Sequence, residues 1–359
     1  MTIKFFADTA SLQDIEYCFS REVNDGITTN PKILETTGEL PLGFEKSYKK
    51  LLEKHSSIKG SNLSSKKPFK IDFNNNLEFE KACQKLIEKH SNLGLSDIIE
   101  KVKKRAEISF DDLPTGFEKA CKQIVEKYPN VPVSLETDLK GMNINEINLK
   151  KKEVVEILLS QAFALSRLGD NVVIKIPICE AGVSATKILS EKGIKTNVTA
   201  CMNPFQALEA ARAGATYVSL FANRMLDSHI LELSGNSLRE TLKNPNWKEI
   251  LKTNKEKYFD TAWGIVLNQI SYVAEKVNEF GTELIVGSIR GPEDIYKIVK
   301  AEPHIITIPT KIVTQLKEIP LLKRTNRSIF PNGDVDLLYH PMTNYTLEEF
   351  EKAADSYRK

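Results

Sequence analysis

Eight short β-rich runs, at residues 3–8, 26–29, 132–137, 172–178, 195–201, 217–222, 283–289 and 305–309, alternate with amphipathic stretches such as 206–212 and 292–300. A strand followed by a helix and then another strand is the pattern of a parallel sheet covered by helices. Eight such units close most simply into a TIM (β/α)8 barrel, an α/β fold for which 359 residues leave ample length. An open doubly wound sheet is the alternative. No G-x-G-x-x-G follows the first strand, so a dinucleotide crevice is unsupported.

The second and third strands stand about a hundred residues apart, far beyond an ordinary crossover. The excess contains a repeat: Leu40-Pro41-Leu42-Gly43-Phe44-Glu45-Lys46 recurs as Leu113-Pro114-Thr115-Gly116-Phe117-Glu118-Lys119, with a looser copy from Leu77. Each copy continues with apolar residues at i, i+4, i+7 and i+8: Phe44, Tyr48, Leu51, Leu52; Phe79, Cys83, Leu86, Ile87; Phe117, Cys121, Ile124, Val125. That spacing is one face of a helix. Only the third copy runs directly into a strand. The expectation is one barrel over residues 1–359 in which the second helix is duplicated twice, so that residues 40–112 form an inserted helical segment between the second and third strands. His55 and His90 occupy equivalent repeat positions, but neither has Cys or acidic neighbours at metal-ligand spacing, and both read as solvated.

Formal charge is +2, with both signs spread throughout, so neither nucleic acid nor a membrane surface is called for as a partner. Five cysteines without a C-x-x-C pair fit reduced thiols and a cytoplasmic address. No segment has signal-peptide or membrane-span character, so a soluble protein is expected. Whether it forms a homo-oligomer is left open.

The fourth strand, Val172-Val173-Ile174-Lys175-Ile176-Pro177, carries an ammonium inside an apolar run. A parallel strand is buried on both faces, where a charge is expensive. Lys175 therefore either snorkels to water at the strand end or is a desolvated amine able to attack a carbonyl carbon and form an iminium. Groups at the carboxyl ends of barrel strands share one site. Asp8 stands at the end of the first strand, Thr28-Thr29-Asn30-Pro31 of the second and Glu136 of the third; Asn197 and Thr199 come from the fifth, Ser219 with Arg224 from the sixth, and Ser288 with Arg290 from the seventh. An amine, two carboxylates and two amides describe a Schiff-base site with acid/base and orienting groups. Two Ser/Arg pairs describe a phosphate clamp, since a guanidinium fork matches phosphate. Each residue has an ordinary reading as well, Asp8 as a helix cap and the arginines as surface charges; the coincidence across seven strands carries the inference.

These residues resemble the transaldolases, including the smaller bacterial and archaeal type and the related fructose 6-phosphate aldolases. The resemblance rests on Phe5-Phe6-Ala7-Asp8-Thr9-Ala10, Gly26-Ile27-Thr28-Thr29-Asn30-Pro31, the Lys175 strand, Gly193-Ile194-Lys195-Thr196-Asn197-Val198-Thr199, Ala213-Gly214-Ala215-Thr216-Tyr217-Val218-Ser219 and His340-Pro341-Met342-Thr343. It covers most of the chain apart from residues 40–112, 227–257 and 324–336. One departure is Ser219-Leu220-Phe221-Ala222-Asn223-Arg224, where the family has Ser-Pro-Phe-x-Gly-Arg.

The resemblance implies a class I mechanism without metal or cofactor. A dihydroxyacetone unit would pass from a ketose phosphate, sedoheptulose 7-phosphate or fructose 6-phosphate, to an aldose phosphate in the non-oxidative pentose phosphate pathway. Lys175 would form the Schiff base, Asp8 would take the proton of the hydroxyl whose carbon–carbon bond breaks, and Glu136 with a water held by Thr199 would serve the dehydration steps. Thr28, Asn30, Asn197, Ser219 and Phe221 would contact the sugar, and Arg224, Ser288 and Arg290 the phosphate. Glu136 and Phe221 are the transaldolase-like pair where the aldolases tend to carry Gln and Tyr. The alternatives are an aldolase releasing dihydroxyacetone and a catalytically idle sugar-phosphate-binding scaffold. Limited proteolysis within residues 60–67 is expected to leave the barrel and its activity intact, measured by unfolding midpoint and turnover of the nicked protein; collapse of both would remove the insertion reading.

Overall fold

The computed structural model describes residues 2–29, 115–139, 149–316 and 340–358, with positions 70–71, 142, 147 and 333–334. Eight parallel strands form the barrel: β1 Lys4–Asp8, β2 Gly26–Thr28, β3 Val133–Glu136, β4 Val172–Pro177, β5 Thr196–Cys201, β6 Tyr217–Phe221, β7 Glu283–Gly287 and β8 Ile305–Pro309. Neighbours pair in chain order, and β8 returns to β1 with Phe6 opposite Thr307 and Asp8 opposite Pro309, so the barrel is closed. The expected TIM barrel is therefore the fold, with each strand within two residues of its expected ends. The first two repeat copies, residues 40–112, lie outside the described residues except for Lys70–Ile71, which pairs antiparallel with Gly333–Asp334.

The surrounding helices are α1 Leu12–Ser20, α2 Thr115–Lys127, α3 Lys151–Ser166, α4 Glu180–Glu191, α5 Pro204–Arg212, α6 Ala222–Leu233, α7 Leu238–Lys243, α8 Trp247–Lys276, α9 Pro292–Ile298, α10 Thr310–Val313 and α11 Pro341–Arg358. Helix α2 is the third repeat copy, and Cys121, Ile124 and Val125 on its expected face are buried. Residues 227–257, outside the resemblance, build most of α6, then α7 and the first turns of α8.

The barrel interior is layered because side chains alternate along each strand. Phe6, Val173, Tyr217, Ile285 and Ile305 form a small apolar cluster of their own, separate from the large core between sheet and helices. Phe6 meets Tyr217 edge-on at 6.0 Å between ring centroids. Gly26 makes room for this plug, since a Cβ there would stand 2.6 Å from the Phe6 ring. Two residues further along the same strands come Asp8, Lys175, Ser219, Gly287 and Thr307, so a polar layer follows the apolar one toward the carboxyl ends. The sequence run around Lys175 is apolar because its other residues face either this plug or the helices, all of them buried.

Helix α4 begins directly above the lysine strand. Its N-cap is Cys179, whose Sγ accepts from the Gly182 amide at 3.3 Å. A Cβ at Gly182 would lie 2.1 Å from the Pro177 carbonyl oxygen, a backbone atom that cannot rotate away. Gly182→Ala is therefore expected to lose about 2 kcal/mol by overpacking, in spite of the roughly 1 kcal/mol that Ala gains over Gly inside a helix. The check is the urea midpoint at unchanged m-value.

Candidate active site

Lys175 is 4% exposed and does not snorkel out. Its Nζ donates to the Thr29 carbonyl at 2.9 Å and lies 3.0 Å from Glu136 Oε2, both side chains of that ion pair being 5% exposed. Register explains the contact, because Glu136 and Lys175 are direct cross-strand partners on β3 and β4, as Lys175 and Asn197 are on β4 and β5. Burial raises the Glu136 carboxyl above its ordinary range, with the Lys175 charge opposing. A carboxylate with enhanced proton affinity thus stands beside an amine that must shed a proton to become a nucleophile.

Asp8 completes a second edge of the same layer. Thr28, its partner on β2, donates from Oγ1 to Asp8 Oδ1 at 2.9 Å and lies 2.6 Å from Thr307 Oγ1. Asp8 keeps some exposure at the open end of its strand, yet burial raises its carboxyl as well, opposed by the Lys175 charge and the Thr28 hydrogen bond. Next to the lysine, Asn197 accepts from Ser219 Oγ at 2.7 Å and donates to Ser134 Oγ at 3.3 Å, linking β3, β5 and β6. Thr199 is fully buried, and its hydroxyl has no hydrogen-bond partner among the described residues. A buried hydroxyl left unpaired costs roughly 1–3 kcal/mol, which a bound water or substrate oxygen would relieve. The backbone changes beside it: the β5–β6 register shifts between Val198 and Cys201, and Ala200 sits at φ 62°.

The rim is a separate group. Ser288 has φ 63°, and its carbonyl accepts from Asn223 Nδ2 at 2.8 Å. That amide also donates to Asp294 Oδ2 at 2.7 Å, and the same oxygen accepts from the Arg290 amide at 2.8 Å. The Asn that departs from the family motif thus ties the turn after β7 to the start of α6. Arg290 faces Asp227 with its two-nitrogen fork, Nη1 donating to Oδ1 at 2.8 Å and Nη2 to Oδ2. Arg224 pairs with Glu349 of α11. Phe221 lies 6.3 Å from Phe350 of the same helix, ring to ring. Helix α11 is anchored across the barrel mouth by Thr343, whose hydroxyl donates to the Ala200 carbonyl at 2.9 Å, and by Glu351, which accepts from the Leu139 amide at 3.1 Å.

The structure therefore brings Asp8, Thr28, Glu136, Lys175, Asn197, Thr199 and Ser219 into the barrel mouth, with Phe221, Arg224, Ser288 and Arg290 around it. Asn30 lies outside the described residues. Thr307, Ser134, Asp227 and Glu349 carry no site assignment in the sequence reading, and Asn223 enters it only as a departure from the family motif. Thr307 carried the same signal as Lys175, a polar residue alternating within an apolar strand; Asp227 and Glu349 carried none. Among the described residues no group of three or more His, Cys, Asp or Glu is placed to hold a metal ion, and no helix is long and apolar enough to cross a membrane. Cys18, Cys179 and Cys201 are buried free thiols, Cys121 is buried as well, and burial pushes the Cys179 thiol up to about 11.

A closed eight-stranded barrel with its chemically capable groups at the carboxyl ends of the strands has the arrangement of TIM-barrel enzymes. A family model described as Transaldolase/Fructose-6-phosphate aldolase matches residues 5–359, and the chain belongs to that family. Among similar proteins, a "Probable transaldolase" of Clostridium botulinum (strain Hall) is 37% identical over 163 residues, 45% of this chain and 60% of the relative. One from Anaeromyxobacter sp. (strain Fw109-5) is 35% identical over 166 residues, covering 46% and 62%, and one from Clostridioides difficile (strain 630) is 34% identical over 175 residues, covering 49% and 64%. The chain thus spans less than two thirds of the length of the curated relatives it matches.

The Asp8 shift fixes a sign for stability. A carboxyl whose folded pKa is raised binds protons more tightly in the folded state, so stability falls as pH rises from its ordinary value of 3.8 through the folded value. Asp8→Asn removes that dependence. Its thermal midpoint is expected to match the parent near pH 3.8 and to exceed it by a growing margin toward neutrality, levelling once the folded Asp8 is ionised, as followed by calorimetry across pH. A margin that shrinks with pH would mean that the Lys175 charge outweighs desolvation.

Proposed function

We propose that this protein is a transaldolase that moves a dihydroxyacetone unit from a ketose phosphate to an aldose phosphate through a Schiff base on Lys175. The observation that carries the reading is the amine of Lys175, buried at the carboxyl end of the barrel within 3.0 Å of Glu136. An amine there can lose its proton to the adjoining carboxylate and attack the ketose carbonyl carbon. Loss of the carbonyl oxygen as water then leaves an iminium, with Glu136 and a water on the unpaired Thr199 hydroxyl to carry the protons. The iminium draws electrons from the neighbouring carbon–carbon bond as Asp8 takes the proton of the adjacent hydroxyl. An aldose leaves, and the retained three-carbon enamine attacks the acceptor aldehyde by the reverse path. Asn197, Ser219 and Thr28 hold hydroxyls, and Arg224, Ser288 and Arg290 hold the phosphate end. Sedoheptulose 7-phosphate with glyceraldehyde 3-phosphate is the pair this reading favours, which places the reaction in the non-oxidative pentose phosphate pathway and in the cytoplasm.

Borohydride reduction with fructose 6-phosphate, followed by intact mass and peptide mapping, is expected to leave a three-carbon adduct on the peptide containing Lys175 and none on Lys175→Ala. A folded protein that gives no adduct would sink the mechanism and leave the non-catalytic binding role. The acceptor question follows with an aldose phosphate: transfer is expected to exceed release of dihydroxyacetone, and Phe221→Tyr is expected to move the split toward release. An unchanged split would favour the aldolase reading.

A further inference from the structure

The rim arginines are each already paired to an acid of the protein itself. Arg290 is held by Asp227, and Arg224 by Glu349, so the formal charge of these four side chains is zero before any ligand arrives. Asp294 is committed to the amides of Arg290 and Gly291 and to Asn223. A phosphate dianion would enter a setting without net positive charge unless one carboxylate withdrew.

The two pairs differ in how firmly they are built. Asp227 is a buried residue of α6, its side chain 5% exposed, and it meets both terminal nitrogens of Arg290. Glu349 sits on α11, more than a hundred residues away in sequence, with its side chain 21% exposed, and meets Arg224 through Nη2. One turn earlier, Tyr345 donates from its hydroxyl to Glu349 Oε1 at 2.9 Å, while its ring lies 5.5 Å from the Arg224 guanidinium carbon. The ring can keep its contact with the guanidinium while a different anion takes the place of the carboxylate. Arg224 also lies in the first turn of α6, whose N-cap, Phe221, provides no side-chain hydrogen bond to the helix amides.

We infer that Glu349 is a specificity-determining counter-anion of the rim: its carboxylate occupies Arg224 in the free protein, and the phosphate of the substrate binds by displacing it. The C-terminal helix and the substrate phosphate then compete for one guanidinium, and Glu349 sets the phosphate affinity below what the two arginines alone would give. Electrostatics of this kind act on ligand charge, so phosphorylated ligands feel Glu349 and uncharged sugars do not. The inference rests on the proposed phosphate role of Arg224, but its first test needs no turnover.

Titration calorimetry with inorganic phosphate is expected to show Glu349→Gln binding about fivefold more tightly than the parent, the equivalent of about 1 kcal/mol. Glu349→Asp, which keeps the charge but withdraws the carboxylate, is expected to move the same way by a smaller factor. Most of the gain must be lost when Arg224→Ala is present in the same chain, because the direct pairing runs through that guanidinium and Glu349 reaches Arg290 only through space. In steady-state assays with a ketose phosphate the change falls on KM, about fivefold lower, as removal of a ground-state competitor requires. With an unphosphorylated ketose KM stays put. Unchanged or weaker phosphate binding in Glu349→Gln would overturn the inference and make Glu349 a support for Arg224. Tighter phosphate binding together with an absent borohydride adduct would instead overturn the enzymatic reading and leave the anion site standing.

Discussion

A positively charged amine buried in the mouth of a parallel barrel is the constraint around which the rest of the structure is arranged. Desolvating one ammonium costs several kcal/mol, and a lone charge there would be neutralised or expelled. Here the barrel answers with a carboxylate on the adjacent strand at 3.0 Å and a backbone carbonyl at 2.9 Å. The carboxylate is itself buried, and burial raises its pKa against the opposing Lys175 charge. A buried ion pair is weak evidence for stability, because desolvation of both charges offsets their attraction. Under the proposed Schiff-base role, the same pair is where the amine would hand over its proton.

Such a pair can exist only over a rigid floor. Phe6, Val173, Tyr217, Ile285 and Ile305 close the barrel beneath it, and burying five side chains of this size is worth on the order of 10 kcal/mol. The floor also fixes directions. Since alternate residues of each strand face inward, placing Phe6 and Val173 in the floor puts Asp8 and Lys175 in the layer above, and no loop has to be trusted to aim them. The rim differs in kind: Ser288 holds a positive φ, and a side-chain amide and a carboxylate tie the turn after β7 to α6. The proposed chemistry thus falls on strands and the proposed phosphate contacts on turns and a distant helix.

This division also explains what could be read in advance. Strand positions are local signals: an apolar run with Lys175, Asn197 or Thr307 in its middle announces both its own burial and its polar exception. The eight strands and the positions of the polar residues on them were legible for that reason, and the helix of the third repeat was legible through its 3.6-residue spacing. Contacts made across the fold left no local mark. Nothing around Glu349, in a charged helix more than a hundred residues beyond Arg224, reveals that the two meet. Asp227 lies in a stretch, residues 227–257, that carries none of the motifs on which the sequence resemblance rests. Asn223 was visible as a departure from the Gly of the motif, but its meaning, a bridge from α6 to the turn after β7, appears only when both are in place.

The same separation has a consequence for how activity could diverge while the chemistry stays fixed. The groups proposed to act on the reacting carbons sit on strands whose register locks each to its neighbours, so a change at Lys175, Glu136 or Asp8 falls within a buried network. The groups proposed to meet the far end of a substrate sit where a single side chain can be exchanged with little cost to the barrel. Asn223, which stands where the motif has Gly, and Glu349 set the stiffness and charge of the rim without entering the apolar floor. A chain can thus retain the reactive amine and change which anion it admits, and the neutral balance of Arg224, Arg290, Asp227 and Glu349 is where such a change would be expressed.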